Sequence, residues 1–429
     1  MGEKICWNIG VFVALMLVLS MNNNYNESSS TSSSSDEFIS YNNINNKLMM
    51  EKKVCDEIYV VGEGETLQTI SEKCGDPFIV EENPHIHDPD DVFPGQIEVK
   101  AEASFQKHKP TKLFIFGDSY ADTGNTIKNN SFSWKEPYGI TFPGKPAGRF
   151  SDGRVFTDFI AKYLGLKSPV PYNLRKMMMA NNNLEYGINF AVGGTGVFDT
   201  DIKPNMTTQI DFFEEIIIKD KVYNASDLTN SLAYVSVAGN DYNYYLATHT
   251  NDSISGILPF IRLVVNQTAT NIIRIHKLGV KKIAVGMLQP IGCLPLITSQ
   301  SSFQNCNDTI NILVDIHNAL LTQTIAKLNQ EAQNGNSKFL ILNLYDSFNS
   351  ALGHHKTYNK NNNKALIPCC VGISKEYVCG SVENNVKKYE VCENPKKAFF
   401  WDLFHPTQAG WHAVYKKLQS MGDLHQLLS

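Results

Sequence analysis

Five apolar runs divide the chain beyond residue 111: LFIFGD (113–118), YGINFAVGG (186–194), LAYVSVAGND (232–241), KKIAVGMLQP (281–290) and KFLILNLYD (338–346). Each is rich in Val, Ile, Phe or Tyr and reads as a buried strand. The stretches between them are long enough for crossover helices. FIRLVVNQTATNIIRIHKLG (260–279) is the clearest, placing Ile261, Val264, Val265, Ile272 and Ile275 on one face before Gly279. Buried strands separated by helices predict an α/β domain, a parallel sheet covered on both sides in three layers. In such sheets chemistry gathers at the carboxyl ends of the strands. Ser119, Gly194 and Asn240 all fall there.

The first 110 residues follow other patterns. IGVFVALMLVL (9–19) follows Lys4 and precedes Ser20; this apolar stretch is too short to span a bilayer but suits a secretory signal, assigned to 1–21. Residues 22–50 are rich in Asn and Ser and cannot bury enough surface to offset ordering, so they read as a disordered tether. Residues 51–101 alternate differently: IYVV as a strand, Thr66 capping a helix over LQTISEKC, a second short helix at DPFIVEEN, and a closing strand QIEVK. This predicts a small βααβ unit, joined through a linker at 102–110 to a domain at 111–429.

Composition narrows the class. A chain of 429 residues with 42% hydrophobic content can bury a large core, and a net charge of −5 excludes the basic face of a nucleic-acid binder. No later segment reaches transmembrane length. Export makes an oxidised state the expectation for the eight cysteines outside the signal. Proximity suggests Cys55–Cys74 and Cys293–Cys306, leaving two bridges among Cys369, Cys370, Cys379 and Cys392 with connectivity open. Asn-x-Ser/Thr sequons at Asn26, Asn129, Asn205, Asn224, Asn251, Asn266 and Asn307 suit the same compartment, extracellular or in the cell wall.

A serine hydroxyl attacks an ester only with a base in reach, an orienter for that base and donors for the developing oxyanion. Ser119 ends the first strand; Asp402 and His405 stand three apart in WDLFHPTQAGWHAVYKKL, where a helical turn would bring both to one side and Pro406 would open the last helix. Oxyanion donors are offered by the Ser119 N–H, by Gly194 in NFAVGGTG and by the Asn240 side chain in SVAGND. Asp122 and Asn125 are assigned to hydrogen bonds that fix the first turn. Rival motifs fail. No Gly-x-Ser-x-Gly occurs, GITFPGKP lacks the Ser or Thr of a phosphate loop, and GGTG is too short for a dinucleotide site. His85-x-His87-Asp88 and His354-His355 read as solvated loop residues, so no metal and no cofactor is expected.

Two resemblances follow from these motifs. GDSYADTGN, GINFAVGGTG, GND and DLFHP, in this order, resemble the signature blocks of the GDSL esterases and lipases of the SGNH hydrolase superfamily, and AGRFSDGRVFTDFIA and LQPIGCLP resemble its plant secreted branch. The resemblance implies a flavodoxin-like α/β/α domain acting on carboxylic esters, lipid or acylated carbohydrate. It implies Ser119 as nucleophile, His405 as base, Asp402 as its orienter, and Ser119, Gly194 and Asn240 as the oxyanion hole. An acyltransferase with the same residues remains an alternative. YVVGEGETLQTISEKCGDPFIVEENP is similar to a LysM module, which implies binding of chitin or another N-acetylglucosamine polymer through Gly64, Glu65, Thr66 and Leu67 and through Pro84, His85, Ile86, His87 and Asp88. A chitin-binding protein with an inactive hydrolase half is the other alternative.

Overall fold

The computed structural model describes residues 58–74, 92, 99–100, 109–176, 184–202, 204–249, 254–332, 337–358 and 364–428. The sequon at Asn26, Cys55, the expected second short helix, residues 84–88 and most of the linker lie outside them, as do the expected signal and tether. The described residues fall into two units, one within 10–105 and one within 106–429.

In the smaller unit, β1 (Ile58–Tyr59) and β2 (Val99–Lys100) pair antiparallel, with Ile58 opposite Lys100. Between them lies α1 (Leu67–Cys74). Thr66 caps it as expected. The Thr69 N–H donates to Thr66 Oγ1 at 3.2 Å while the Thr66 N–H donates to Thr69 Oγ1 at 2.8 Å, a reciprocal cap. Val61, Leu67 and Ile70 are buried, the last two completely.

The larger unit is built on one parallel sheet. Its strands are β3 (Lys112–Gly117), β4 (Val170–Pro171), β5 (Ile188–Asn189), β6 (Ser231–Ser236), β7 (Lys282–Gly286) and β8 (Lys338–Leu342), in the spatial order β4-β5-β3-β6-β7-β8. All neighbours in the sheet are parallel. The five apolar runs supply five of the six strands. β4 matches none of the runs, because a two-residue edge strand has no periodicity. Register aligns Gly117 with Ser236, so the turns that carry Ser119 and Asn240 leave the sheet side by side.

The long helices are α2 (Phe156–Tyr163), α3 (Met206–Ile218), α4 (Gly239–Thr248), α5 (Ile254–Lys277), α6 (Asp308–Glu331), α7 (Leu344–Tyr358) and α8 (Gln408–Ser420). Residues alternate across β3 as in any strand. Phe114 and Phe116 pack on Phe213 of α3, with ring centroids at 4.7 and 5.5 Å, in a core that also takes side chains from α5 and α6. On the other side, α8 packs against α2 and α7, and Trp411 meets Phe156 and Phe348 at 5.7 and 5.5 Å. The expected apolar face of α5 is present: Ile261, Val264, Val265, Ile272 and Ile275 are all buried.

Disulfides join Cys293 to Cys306, as proximity suggested, and also Cys369 to Cys392 and Cys370 to Cys379. Two sequence expectations are corrected here: His354 and His355, expected in a loop, lie within α7. The last helix opens not at Pro406 but after Thr407, whose Oγ1 accepts from the Gly410 N–H at 2.9 Å; Pro406 instead forms an isolated bridge with Phe400.

Candidate active site

The first turn after β3 is held from within. Asp122 lies fully buried and its two oxygens receive the N–H groups of Gly124, Asn125, Thr126 and Gly193 at 2.7–3.1 Å, together with the Thr126 hydroxyl. Asn125 Nδ2 donates to the carbonyls of Asn189 and Ala191 at 2.7 and 2.9 Å. These bonds satisfy buried groups that would otherwise each cost about 1–3 kcal/mol, and they tie the turn to the loop after β5. Asp122 and Asn125 thus have the structural part expected of them.

On this turn stands Ser119, and its Oγ lies 2.8 Å from His405 Nε2 across 286 residues of chain. His405 Nδ1 is 2.9 Å from both oxygens of Asp402. All three residues are buried, at 9, 9 and 6% exposure for Ser119, His405 and Asp402. Asp402 and His405 do not share a helical turn. Instead Asp402 Oδ1 receives the N–H groups of Phe404 and His405, each at 2.8 Å, which folds the backbone around the carboxylate. Burial alone would raise the Asp402 carboxyl. The facing His405, the N–H of Phe404 and the Tyr138 hydroxyl outweigh it and hold the group below its ordinary value.

Four neighbours hydrogen-bond the segment that carries His405. The Tyr120 hydroxyl donates to the Phe404 carbonyl at 2.7 Å and receives Gln289 Nε2 at 3.1 Å. Ser151 Oγ donates to the Pro406 carbonyl at 3.0 Å, and the Gln408 N–H donates to Asp152 Oδ1 at 2.7 Å. Tyr138 donates to Asp402 Oδ2 at 2.7 Å. Phe150 lays its ring 5.1 Å from that of His405. Sequence reasoning missed Tyr138 and Phe150. Each reaches its partner across more than 250 residues, and no local pattern names the partner.

The expected oxyanion donors sit on connected loops. Thr195 Oγ1 donates to the Gly117 carbonyl at 3.1 Å, and Asn240 Nδ2 donates to the Thr195 carbonyl at 2.9 Å. Gly194 has φ +84°, a conformation that favours glycine. Among the described residues the N–H groups of Ser119 and Gly194 donate to no protein acceptor, and one of the two Asn240 amide hydrogens has none. Ala238 reaches φ +105°, unusual for alanine, two residues before Asn240. Next to the amide, Asp241 receives the N–H groups of Val197 and Phe198, both at 2.9 Å, and burial pushes its carboxyl up to about 6 in spite of them. Burial likewise lifts Asp118, beside the serine, to about 7 against the Tyr120 N–H and the nearby His405.

In the smaller unit the expected sugar-site residues divide. Gly64 has φ +74°, and Glu65 pairs with Lys73 at 2.8 Å. The Leu67 side chain is fully buried, so it can offer a ligand only its backbone. Pro84, His85, Ile86, His87 and Asp88 lie outside the described residues. Among the described residues no cluster of three His, Cys, Asp or Glu side chains is placed to hold a metal ion, and no helix is long and apolar enough to cross a membrane.

Comparison with known proteins agrees with the sequence motifs. The GDSL-like lipase/acylhydrolase family model matches residues 113–418, and the LysM domain model matches residues 59–97. Two Arabidopsis thaliana GDSL esterase/lipases are 56% and 50% identical over 328 and 330 residues; each alignment covers 74% of this chain, and 90% and 92% of the respective relative. Among solved structures, an α/β hydrolase enzyme from the metagenome of Lake Arreo, Spain, is 13% identical with a TM-score of 0.33, over 74% of this chain and 96% of that one; a score this low adds nothing to the sheet topology described above. With the family model spanning most of the chain and the relatives aligned over nearly their whole length, this protein belongs to the GDSL-like lipase/acylhydrolase family and carries a LysM domain before its hydrolase domain.

Proposed function

We propose that the protein is a secreted serine hydrolase of carboxylic esters that works through an acyl-enzyme on Ser119. The observation that carries this reading is the unbroken chain of contacts from Ser119 Oγ to His405 Nε2 at 2.8 Å and from Nδ1 to Asp402 at 2.9 Å. Because Asp402 is a buried anion, it selects the tautomer with the proton on Nδ1 and leaves Nε2 as acceptor. Nε2 takes the serine proton as Oγ bonds to the ester carbonyl carbon, and the carbonyl electron pair moves to oxygen. The Ser119 and Gly194 N–H groups and the Asn240 amide are assigned to that oxyanion, where one donor is worth about 3 kcal/mol. Collapse expels the alcohol oxygen, which takes the proton from His405. Water then enters, gives a proton to Nε2 and attacks the acyl carbon; collapse returns the proton to Ser119 Oγ and frees the acid.

The same reading divides the chain into a signal at 1–21, a tether at 22–50, a LysM module at 51–101, a linker at 102–110 and the esterase domain at 111–429. The module is assigned an N-acetylglucosamine polymer as ligand, which would hold the esterase beside polysaccharide in the cell wall. The experiment is Ser119→Ala in the full secreted chain, assayed on short p-nitrophenyl esters. Loss of turnover with retained folding supports the reading; turnover equal to the parent refutes it. A chitin pull-down of the same variant tests the module separately.

A further inference from the structure

Asp402 has a partner that the catalytic segment does not supply. Tyr138 stands in the loop between β3 and α2, and its hydroxyl donates to Asp402 Oδ2 at 2.7 Å. Its ring is buried and meets Trp401 edge-on at 5.9 Å. The two rings share an apolar cluster with Cys369, Cys370, Cys379 and Tyr389. Two disulfides close that cluster, Cys369–Cys392 and Cys370–Cys379. Its backbone is fastened to the residues just before Asp402: the Cys369 N–H donates to the Phe400 carbonyl at 2.9 Å, and the Cys370 N–H to the Trp401 carbonyl at 2.6 Å.

The donors around Asp402 divide unequally. Among the described residues, Oδ1 receives two backbone N–H groups, whereas Oδ2 receives only the phenol besides its share of the imidazole. Without the phenol, a buried anionic oxygen would face His405 alone. We propose that Tyr138 is a positioning residue for the reaction: its hydroxyl fixes the rotation of the Asp402 carboxylate and takes up part of its charge, so that His405 can accept the serine proton and still release it to the leaving group. The disulfide-closed cluster holds the phenol in place. This inference rests on the catalytic reading of Ser119, His405 and Asp402.

Other titratable groups face the pair as well. Tyr120 senses the charges of Asp118 and Asp402, and Asp118 senses His405. Tyr138 itself remains a donor across any assay range, because burial, the Asp402 charge and their hydrogen bond push its hydroxyl well above its ordinary value. Removing the donor concentrates the carboxylate charge on the imidazole, which then holds its proton more tightly.

The test compares Tyr138→Phe with Tyr389→Phe, a buried phenol of the same cluster that makes no bond to Asp402. For Tyr138→Phe, kcat falls about tenfold, KM stays within twofold and the acid limb of the kcat/KM profile moves to higher pH. Tyr389→Phe matches the parent. An unchanged kcat and profile in Tyr138→Phe, or a fall in kcat without movement of the limb, overturns the proposal, because packing alone would not shift the titration. Incorporating 3-fluorotyrosine at position 138 decides the matter even if the phenylalanine variant misfolds. This stronger donor of nearly the same shape moves the limb to lower pH, and an unmoved limb overturns the proposal. If Ser119→Ala is inactive while Tyr138→Phe behaves as the parent, only this inference fails; if Ser119→Ala retains activity, the catalytic reading itself fails.

Discussion

Replacing Asp402 by Asn removes one charge and changes one atom, and the hydrogen bonds around the carboxylate allow its cost to be worked out. Oδ1 receives two backbone N–H groups at 2.8 Å, and Oδ2 receives the Tyr138 hydroxyl at 2.7 Å. In Asp402→Asn the amide oxygen keeps the two backbone donors, so the NH₂ group takes the Oδ2 position. There it faces the Tyr138 hydroxyl and His405 Nδ1, which lies 2.9 Å from Oδ2. Nδ1 is also 2.9 Å from the Oδ1 position, but that oxygen already takes two backbone N–H groups, so the new NH₂ favours Nδ1 as acceptor and moves the ring proton to Nε2. That nitrogen faces Ser119 Oγ at 2.8 Å and no longer has a lone pair for the serine proton. The opposite amide orientation leaves two backbone N–H groups pointing at NH₂, so it offers no escape. A wrong tautomer in a serine–histidine site costs about 10⁴-fold in kcat, on the order of 5 kcal/mol of barrier. Steady-state hydrolysis of p-nitrophenyl butyrate by the full chain, with a thermal melt to confirm folding, measures it. A folded Asp402→Asn protein with kcat within tenfold of the parent would refute the assigned tautomer and with it the role of the carboxylate.

Three further outcomes are expected. A methyl group at Gly193 would sit 2.3 Å from Phe150 ring carbons, so Gly193→Ala should force that ring against His405, lowering kcat at least tenfold and stability by about 1–3 kcal/mol; kinetics and a melt of one preparation check both. The Asp118 carboxyl, lifted to about 7 by burial, favours the folded state while protonated, and that contribution fades as pH rises from about 4 through 7. The melting temperature should therefore carry a downward component over this range, and Asp118→Asn should flatten it. Asp158 is held below its ordinary value: burial would raise it, but the Arg149 guanidinium, in two bonds of 2.8 Å, outweighs that. Its stabilisation is present above the ordinary carboxylate range and lost as pH falls through the lowered value, and Asp158→Ala at neutral pH, which strands Arg149, should cost about 3–5 kcal/mol by urea denaturation.

How much of this could be read in the chain depended on where each partner lies. Ser119 and the Asp402–His405 pair were legible because the chemistry is compressed into short blocks, and β3 and β6 were legible because a central parallel strand is apolar on both faces. The spacing of Asp402 and His405 suggested the right neighbours through the wrong geometry: the carboxylate captures backbone N–H groups, which replaces the helical turn. Connectivity of the last four cysteines was open, because it depends on strand register. Pairing of Cys370 with Val391 brings Cys392 beside Cys369 and leaves Cys370 for Cys379. Tyr138 was illegible for a related reason, since a single tyrosine in a loop acquires meaning only when folding delivers a carboxylate from 264 residues away.

The central claim is that folding makes Ser119 a nucleophile through His405. Its most direct measurement is labelling of the full chain with a fluorophosphonate, followed by mass mapping of the modified peptide. The account predicts one adduct, on the peptide containing Ser119, formed at a rate that falls by at least a hundredfold in His405→Ala. An adduct on another residue, or labelling of Ser119 at an undiminished rate in His405→Ala, would contradict it.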